Sequence, residues 1–502
     1  MKLNYKRTIL VGFAFFLISA FWQAYDAIVP LALNYQYGLP HTISGVVMSL
    51  DNVLAVFMLP VFGALSDKVM TRFGKRTPFV VIGTVAAVLS FIALTFVNGI
   101  QLNALAESGI VDAYNNALST FNGAKESLKK SFADGLITRE AMDLGITEAE
   151  TAFNAIKEAL QAQALEITMG NIWPLIGFLA VLLVVLVSMA TFRSPAVALM
   201  PDVTIKPLRS KANAIINLMG TAGGIIILAL SSFMGMSSKL YSHYVGYVAL
   251  VCVVMVGALI AFIFTVKEKK WADEMEKTSL ELGLEEKIEA NDSADKRALS
   301  RSELRSLLLI LASVALWYVG SNSITSKYTV YAASVLNVDY GSTLIVAQAA
   351  AIVSYIPVGI IASKIGRKKT ILAGILMLTA AFFVGNFIGP GVSNLIMYPI
   401  FILAGMGWAT INVNSFPMVV ELAKGGDVGK YTGYYYTASM AAQIVAPILS
   451  GFLYDMFTMR VMFFSFGTVF VFASFITMYF VKHGDAKPTA KSVALDGLGG
   501  DD

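Results

Sequence analysis

The feature that most constrains this chain is a series of apolar runs, each about 20 residues long or longer, that recurs along the sequence. A run of this length can cross the hydrocarbon core of a bilayer as one α-helix. The runs are residues 8–34, 42–65, 77–98, 171–192, 212–234, 242–265, 304–330, 342–363, 370–388, 394–420, 431–456 and 461–482. Only 14% of the residues are charged, against about a quarter in ordinary soluble domains. The sequence therefore predicts an all-α membrane protein with twelve transmembrane helices.

The positions of lysine and arginine orient these helices. An even number of spans places both termini on the same side, and the loops on that side carry most of the basic residues. Basic residues are enriched in cytoplasmic loops of membrane proteins. We therefore expect a multi-pass protein of the cytoplasmic or plasma membrane, with both termini in the cytoplasm.

Two polar segments interrupt the apolar pattern. Residues 99–170 contain ten Asp and Glu against five Lys and Arg, and we expect them to form an extracellular helical cap. Residues 266–303 have mixed charge and separate an N-terminal bundle, 8–265, from a C-terminal bundle, 304–482, which a cytoplasmic tail, 483–502, follows. We expect both polar segments to be solvated spacers without a binding role.

The two halves of the chain repeat one another. The second run is followed by GALSDKVMTRFGKRT and the eighth by GIIASKIGRKKT. The matching positions are Gly63 and Gly359, Lys68 and Lys364, and Gly74 and Gly366. Two duplicated six-helix halves joined by a long loop are the arrangement of alternating-access transporters.

Charged residues near the cytoplasmic ends of the spans predict a gate. Asp202 precedes Lys211 by nine residues, and Glu421 precedes Lys430 by the same distance in the second half. The predicted gate, whose ion pairs would close the inner mouth, comprises Asp67, Arg72, Arg76, Asp202, Lys211, Glu421 and Lys430. The alternative is that these cations only anchor the topology through lipid phosphates.

Two stretches resemble a known family. They are GLPHTISGVVMSLDNVLAVFMLPVFGALSDKVMTRFGKRTPF, residues 38–79, and FRSPAVALMPDV, residues 192–203. They are similar to the major facilitator superfamily, and within it to the glycoside-pentoside-hexuronide cation symporters and their sucrose-transporter-like branch. The resemblance implies two pseudo-symmetric six-helix bundles and cation-coupled uptake of a sugar or glycoside, such as a disaccharide of the sucrose or maltose type.

The chain departs from these relatives at four positions. Melibiose-type carriers have two acids on the second span where this chain has Ala55 and Leu59. Plant sucrose carriers have an aspartate and an arginine where this chain has Leu186 and Val197. Because the paired acids of the sodium-using relatives are missing, we expect a proton as the coupling ion, with sodium as the alternative.

Two aspartates lie inside the predicted spans, where a charge is costly and therefore marks a functional site. Asp51 lies nine residues into its run, about 14 Å deep, which suits reversible protonation. The alternative for Asp51 is a structural role, with Ser49 and Asn52 as hydrogen-bond partners. Asp26 is a candidate for both sugar binding and ion coupling.

The neighbours of Asp26 favour a sugar. Trp22, Gln23 and Tyr25 lie beside it in FWQAYDAIVP. A carboxylate accepts hydrogen bonds from hydroxyl groups, and an aromatic ring covers the apolar face of a pyranose. The resemblance to the first-span aspartate of melibiose-type carriers implies the same role.

Four further polar residues complete the predicted substrate site. Arg193 and Lys327 are cations within apolar runs, and either could balance Asp26 or Asp51. The alternatives are that Arg193 anchors a helix end and that Lys327 reaches the outer surface. Asn322 and Asn412 could line a cavity or join neighbouring helices.

Nothing in the sequence supports catalysis. There is no phosphate-binding loop and no HExxH metal motif, and a single cysteine, Cys252, makes no disulfide. We therefore expect a monomeric secondary transporter, driven by an ion gradient, that binds a small molecule and lipid but no cofactor, metal or nucleic acid. The alternatives are uptake or efflux of another small molecule and, less in keeping with the duplication, a non-transporting membrane sensor.

Overall fold

The computed structural model describes residues 3–205, 208–281, 300–389, 393–420, 422 and 428–483. Every regular element within these ranges is a helix. The α-helices are α1 (Tyr5–Leu31), α2 (His41–Lys68), α3 (Thr77–Glu107), α4 (Ile110–Ala133), α5 (Arg139–Gly170), α6 (Trp173–Asp202), α7 (Arg209–Phe233), α8 (Val245–Thr265), α9 (Glu268–Glu281), α10 (Arg301–Thr325), α11 (Tyr328–Tyr331), α12 (Tyr340–Ile365), α13 (Arg367–Gly385), α14 (Asn394–Val420), α15 (Val428–Met456) and α16 (Met459–Tyr479).

The predicted membrane spans coincide with these helices. Eleven helices in the described part of the chain are long and apolar enough to cross a bilayer. The remaining predicted run lies in α12, whose apolar stretch, Tyr340–Tyr355, is shorter. The predicted all-α membrane fold is confirmed.

The seventh predicted span, 304–330, is not one continuous helix. It stops at the end of α10, and Lys327 has an extended φ of −125° before the short helix α11 begins. The break has a physical cause, because the Lys327 side chain turns toward the start of α2, where it makes its hydrogen bonds.

The internal repeat extends to details of the backbone. The first span of each half ends in a five-residue π-helix, Ala32–Gln36 after α1 and Ala332–Leu336 after α11. A residue with positive φ follows each π-helix, Gly38 at +67° and Asn337 at +53°. π-Helical segments inside helices are rare, so their recurrence at matching positions shows that the halves are structural duplicates.

The membrane helices pack mainly within each half. In the first half α1 packs on α7 and α8, α3 on α6 and α8, and α2 on α6. In the second half α12 and α13 pack on α14, and α10 packs on α15 and α16. The halves meet where α2 packs on α15 and where α7 packs on α12. We call the side where α1 begins the terminal side, and the side that carries α4 and α5 the insert side.

Glycines bring the two halves into close contact on the insert side. Gly45 of α2 lies against the carbonyl of Pro447, and Gly451 of α15 lies against the carbonyl of His41. A Cβ at either glycine would overlap these backbone atoms. The absence of a side chain therefore lets α2 and α15 approach at backbone distance.

The buried residues of α2 are concentrated near its beginning. Val47 is 6% exposed, whereas Phe57 and Val61, further along the helix, are 68% and 58% exposed. The helix thus begins against the second half and loses protein contact toward the terminal side. The protein is closed on its insert side.

The connector between the halves differs from the solvated spacer that we expected. Its helix α9 begins at Glu268, which is only 2% exposed. The Glu268 carboxylate accepts hydrogen bonds from the backbone N–H groups of Lys75, Arg76 and Thr77 at 2.6–2.8 Å, and from the Thr77 hydroxyl at 2.7 Å. It caps the N-terminus of α3 and so binds the connector to the first half.

This cap requires a glycine in the preceding loop. Gly74 has a φ of +122°, and a Cβ there would overlap the Glu268 carboxyl group. A second contact holds the same helix, since Arg7 donates to Glu274 at 2.6 Å and lies over the Trp271 ring.

We expect Glu268→Ala to destabilise the protein. The substitution leaves three N–H groups at the start of α3 without their acceptor, which costs about 1–3 kcal/mol when such groups stay buried. The midpoint of thermal unfolding of the purified protein in detergent should fall. Glu276→Ala, an exposed position on the same helix, is the control. Equal midpoints for the two variants would contradict the assigned cap.

Candidate functional site

The two predicted membrane aspartates lie at the same depth. Asp26 precedes the end of the π-helix at Gln36 by ten residues, and Asp51 follows the start of α2 at His41 by ten. At 1.5 Å per residue, both carboxylates lie about 15 Å from the insert side, near the middle of the bilayer. The two side chains are within electrostatic range of each other.

Arg193 accompanies these acids. Helix α6 continues to Asp202, so Arg193 lies about 13.5 Å from its terminal-side end. The guanidinium lies over the Trp22 ring, 5.8 Å from its centre, and interacts electrostatically with Asp51. The structure thus brings Trp22, Asp26, Asp51 and Arg193 together from three helices.

Asp51 is held by its neighbour in the chain. The backbone N–H and the side-chain amide of Asn52 donate to the Asp51 Oδ1 at 2.6 and 2.8 Å. Ser49, which we considered as a second partner, instead donates to the carbonyl of Val46 at 2.8 Å.

Two aromatic donors near Asp26 lack partners. The rings of Trp22 and Tyr25 pack edge to face, with centres 5.5 Å apart. The Trp22 Nε1 and the Tyr25 hydroxyl are buried, and neither has a hydrogen-bond partner among the described residues. Buried polar groups are normally paired, so these donors fit a polar ligand or ordered water.

The second half contributes Gln348, which we did not predict. Its Nε2 donates to the Oε1 of Gln23 at 3.1 Å and so joins α12 to α1 near the cluster. The Gln348 Oε1 is buried without a partner in the described ranges. A lone glutamine within the apolar run 342–363 was the signal that sequence reasoning missed.

The predicted asparagines of the second half lie in separate environments. Asn322 donates to the carbonyl of Tyr318 in its own helix, at 2.9 Å. Asn412 has a buried Oδ1 that no described residue satisfies. Trp408, one turn before Asn412, packs edge to face on Tyr318 at 5.4 Å. Asn412 therefore has free hydrogen-bonding capacity, whereas the amide of Asn322 is already engaged.

Lys327 is not in the aspartate–arginine cluster. Its side chain is completely buried on the insert side, where it donates to the Ser44 hydroxyl and, at 3.3 Å, to the carbonyl of His41. The sequence suggested that Lys327 pairs with the mid-membrane acids or reaches the outer surface, and its observed position matches neither. Lys327 joins the two halves of the protein.

Asp455 completes this contact and was not predicted. Its carboxylate accepts hydrogen bonds from the N–H groups of His41 and Thr42, both at 2.7 Å, and from the Thr42 hydroxyl at 2.5 Å. It interacts electrostatically with Lys327. We call His41, Thr42, Ser44, Lys327 and Asp455 the insert-side gate.

The predicted gate on the terminal side is only partly described. Arg76 pairs with Asp67 at 2.5 Å and with Asp202 at 2.7 Å, all within the first half. Arg72 lies over the ring of its neighbour Phe73 instead. Three members lie outside the description, namely Glu421 and the side chains of Lys211 and Lys430. Pairing across the halves on this side stays a prediction.

The fold and the clustered charges within the spans define a membrane carrier, and comparisons identify its family. The model of the Major Facilitator Superfamily matches residues 162–437 and 346–496, and a model described as MFS/sugar transport protein matches residues 10–107. The chain belongs to the Major Facilitator Superfamily. It is a multi-pass membrane transporter and not an enzyme.

Solved structures of transporters share the fold at low sequence identity. A POT family transporter in complex with 5-aminolevulinic acid has a TM-score of 0.59 and 11% identity, covering 94% of this chain and 95% of that one. The xylose transporter XylE from E. coli, in an inward open conformation, has a TM-score of 0.57 and 12% identity, covering 98% and 99%. The nucleoside transporter NupG has a TM-score of 0.50 and 13% identity, covering 94% and 98%. No curated protein matches the sequence significantly.

We expect Asp455→Ala to weaken closure of the insert side. The start of α2 loses its acceptor, and the buried Lys327 loses its counter-ion, so the closed state becomes less stable relative to the open one. Glu107 and Phe387 are exposed positions on opposite halves. Spin labels on Glu107→Cys and Phe387→Cys, in a Cys252→Ser background, would report the distance between the halves by pulsed electron paramagnetic resonance.

The distance distribution should shift toward longer values in Asp455→Ala. Asp134→Ala, an exposed acid on the insert, is the matched control and should leave the distribution unchanged. An unchanged distribution in Asp455→Ala would show that the contact does not hold the gate.

Proposed function

We propose that this transporter takes up a sugar or glycoside together with a proton by alternating access. The main support for this proposal is the cluster of Asp26, Asp51, Arg193 and Trp22 at the middle of the membrane, with unpaired hydrogen-bond donors beside it. Hydroxyl-rich ligands match carboxylate acceptors, guanidinium donors and aromatic faces. The family model described as MFS/sugar transport protein covers both aspartates and supports this substrate class.

The two aspartates have different roles in this proposal. Asp26 lies beside Trp22 and Tyr25, whose unpaired donors complement its carboxylate, so it binds the substrate. Asp51 interacts electrostatically with both Asp26 and Arg193. Protonation of Asp51 therefore changes the negative charge that Arg193 must balance. Proton binding and sugar binding are coupled because they alter the same group of charges.

The positive-inside distribution of Lys and Arg supports a cytoplasmic terminal side, which makes the insert side extracellular in this proposal. The closed insert side then corresponds to a state whose site is reached from the cytoplasm. Opening of the insert-side gate would expose the same site to the outside, as rocking of the two halves requires.

A second candidate is a carrier of the same fold for a different small molecule. The unpaired amide oxygens of Gln348 and Asn412 favour it, since these acceptors suit ligands with amide or amino N–H donors as well as sugar hydroxyls. Purified protein in liposomes, loaded with labelled sugars under an imposed pH or sodium gradient, decides between the candidates. Uptake of none of a broad sugar panel would refute the sugar proposal.

We expect Asp51→Asn to uncouple transport from the proton gradient. Asn preserves the shape of a protonated aspartate and removes the titrating group, so gradient-driven accumulation should be lost while counterflow exchange remains measurable. Asp26→Asn should weaken sugar binding in both assays. Asp112→Asn, an exposed acid of the insert, is the control. Normal pH-driven accumulation in Asp51→Asn would assign the coupling elsewhere, with Asp26 next in line.

The proposed orientation has its own test. In a Cys252→Ser background, Lys75→Cys should react with a membrane-impermeant maleimide only after the cells are permeabilised. Glu148→Cys, exposed on α5, should react in intact cells. The opposite pattern would invert the topology and would leave the fold untouched.

A further inference from the structure

The insert is fixed to the first half of the protein by a buried hydrogen-bond network. The side chain of Gln101, on α3, donates to the Gln36 carbonyl and to the Thr168 hydroxyl of α5, both at 2.9 Å. Asn98 donates to the Gln36 Oε1 at 2.6 Å. These buried hydrogen bonds join α5 and α3 to the π-helix that ends the first span, so α5 is fixed to the first half.

One face of α5 lies across the two pseudo-equivalent turns that follow the π-helices. Gly38, in the first-half turn, lies against the backbone of Gln161 and Leu165. Lys157 lies one turn earlier on the same face, because residues four apart on a helix are neighbours. It reaches the corresponding turn of the second half.

Lys157 joins this helix to the second half by side-chain hydrogen bonds. Its Nζ donates to the carbonyl of Ser334 at 2.5 Å and to the Oδ1 of Asn337 at 2.7 Å. The side chain is 2% exposed, and the ammonium lies 4.5 Å from the centre of the Phe153 ring. A buried cation with two acceptors is a specific contact, unlike a solvated surface lysine.

The charges around Lys157 leave this contact only moderately stable. Burial lowers the pKa of Lys157 to about 7, although Glu150 and Glu158 oppose that shift. Both oxygens of the buried Glu150 lack a hydrogen-bond partner among the described residues. Separation of the halves would rehydrate the Lys157 ammonium. The free energy gained by rehydration offsets part of the cost of losing its two hydrogen bonds.

We infer that α5 is a strap of the outer gate, in which Lys157 holds the second half closed through Ser334 and Asn337. The strap remains on the first half when the protein opens, and the Lys157 contact breaks. The inference rests on alternating access between the two halves and not on the identity of the substrate. It gives the insert a role that the expected spacer lacks.

The two pseudo-equivalent turns support this assignment. Asn337 has a φ of +53°, a region that favours glycine, and glycine is the residue at the equivalent position Gly38. The second half therefore has an asparagine where backbone geometry favours a glycine, and its side chain accepts from the strap. The contact at Asn337 also supplies a substitution, Asn337→Gly, that removes the acceptor and suits the backbone.

The test measures the separation of the halves directly, in the full-length protein without substrate. Spin labels on Glu107→Cys and Phe387→Cys, in the Cys252→Ser background, report the insert-side distance. Lys157→Met keeps the aliphatic stem and removes the ammonium, and Asn337→Gly removes one acceptor. Both should increase the population at long distance, and Lys157→Arg should restore part of the closed population.

The double variant makes the test specific. If Lys157 and Asn337 act through one contact, Lys157→Met should add little to the opening caused by Asn337→Gly. The small addition should correspond to loss of the hydrogen bond from Lys157 to the Ser334 carbonyl. Lys129→Met, an exposed lysine on α4, is the control and should not change the distances. Distances in Lys157→Met that match this control, in protein that elutes as a folded species, would overturn the strap. Loss of sugar transport with unchanged distances would instead concern the proposed function.

Discussion

The structure depends on the cost of placing charge where there is no water. Helices satisfy their own backbone groups in a bilayer, which explains why every described element is helical, but charged side chains need partners from elsewhere. Asp51 and Arg193, on different helices, meet this need for each other. Lys327 meets it with acceptors at the start of α2 and with Asp455. Both sets of contacts depend on how the helices that supply the partners are arranged.

The two charge clusters therefore differ in what they depend on. The mid-membrane cluster draws its ionised groups from α1, α2 and α6, all in the first half. The insert-side gate draws its uncharged donors and acceptors from α2 and its charged groups, Lys327 and Asp455, from the second half. A relative movement of the halves leaves the first cluster assembled and breaks the second. This separation allows a binding site to persist while access to it changes.

The fold could be predicted from the sequence because the bilayer imposes one length on every span. Most helix ends lie near the predicted run ends, although α3 and α6 continue to Glu107 and Asp202, beyond the predicted ends at 98 and 192, and the duplicated motif revealed the repeat. Position along a helix likewise placed Asp51 near the middle of the membrane, and the structure adds Asp26 at the same depth. Depth alone does not identify neighbours, however. The sequence offered two positions for Lys327, beside the mid-membrane acids or at the outer surface, whereas the helix is interrupted after α10 and the side chain lies against the start of α2.

The residues that sequence reasoning missed share a physical property. Glu268, Asp455 and Lys157 lie in polar segments or at helix ends, where a charged residue is usually solvated. Each is bound instead to backbone groups of a distant segment, and backbone acceptors and donors leave no trace in residue types. The exceptional position is Asn337, whose side chain and positive φ are both unusual. A non-glycine residue in that conformation is held by its contacts, and here the contact is to Lys157.

The asymmetry between the halves follows from the insert. Both halves have a π-helix, a turn with positive φ and a following span, so each alone presents the same surface to the outside. The insert follows α3, in the first half, and α5 covers both turns. It is joined to one turn by close backbone packing and to the other by the hydrogen bonds of Lys157. With α5 acting as the inferred strap, movement between the halves breaks the contact at Lys157 and leaves the packing at Gly38 in place.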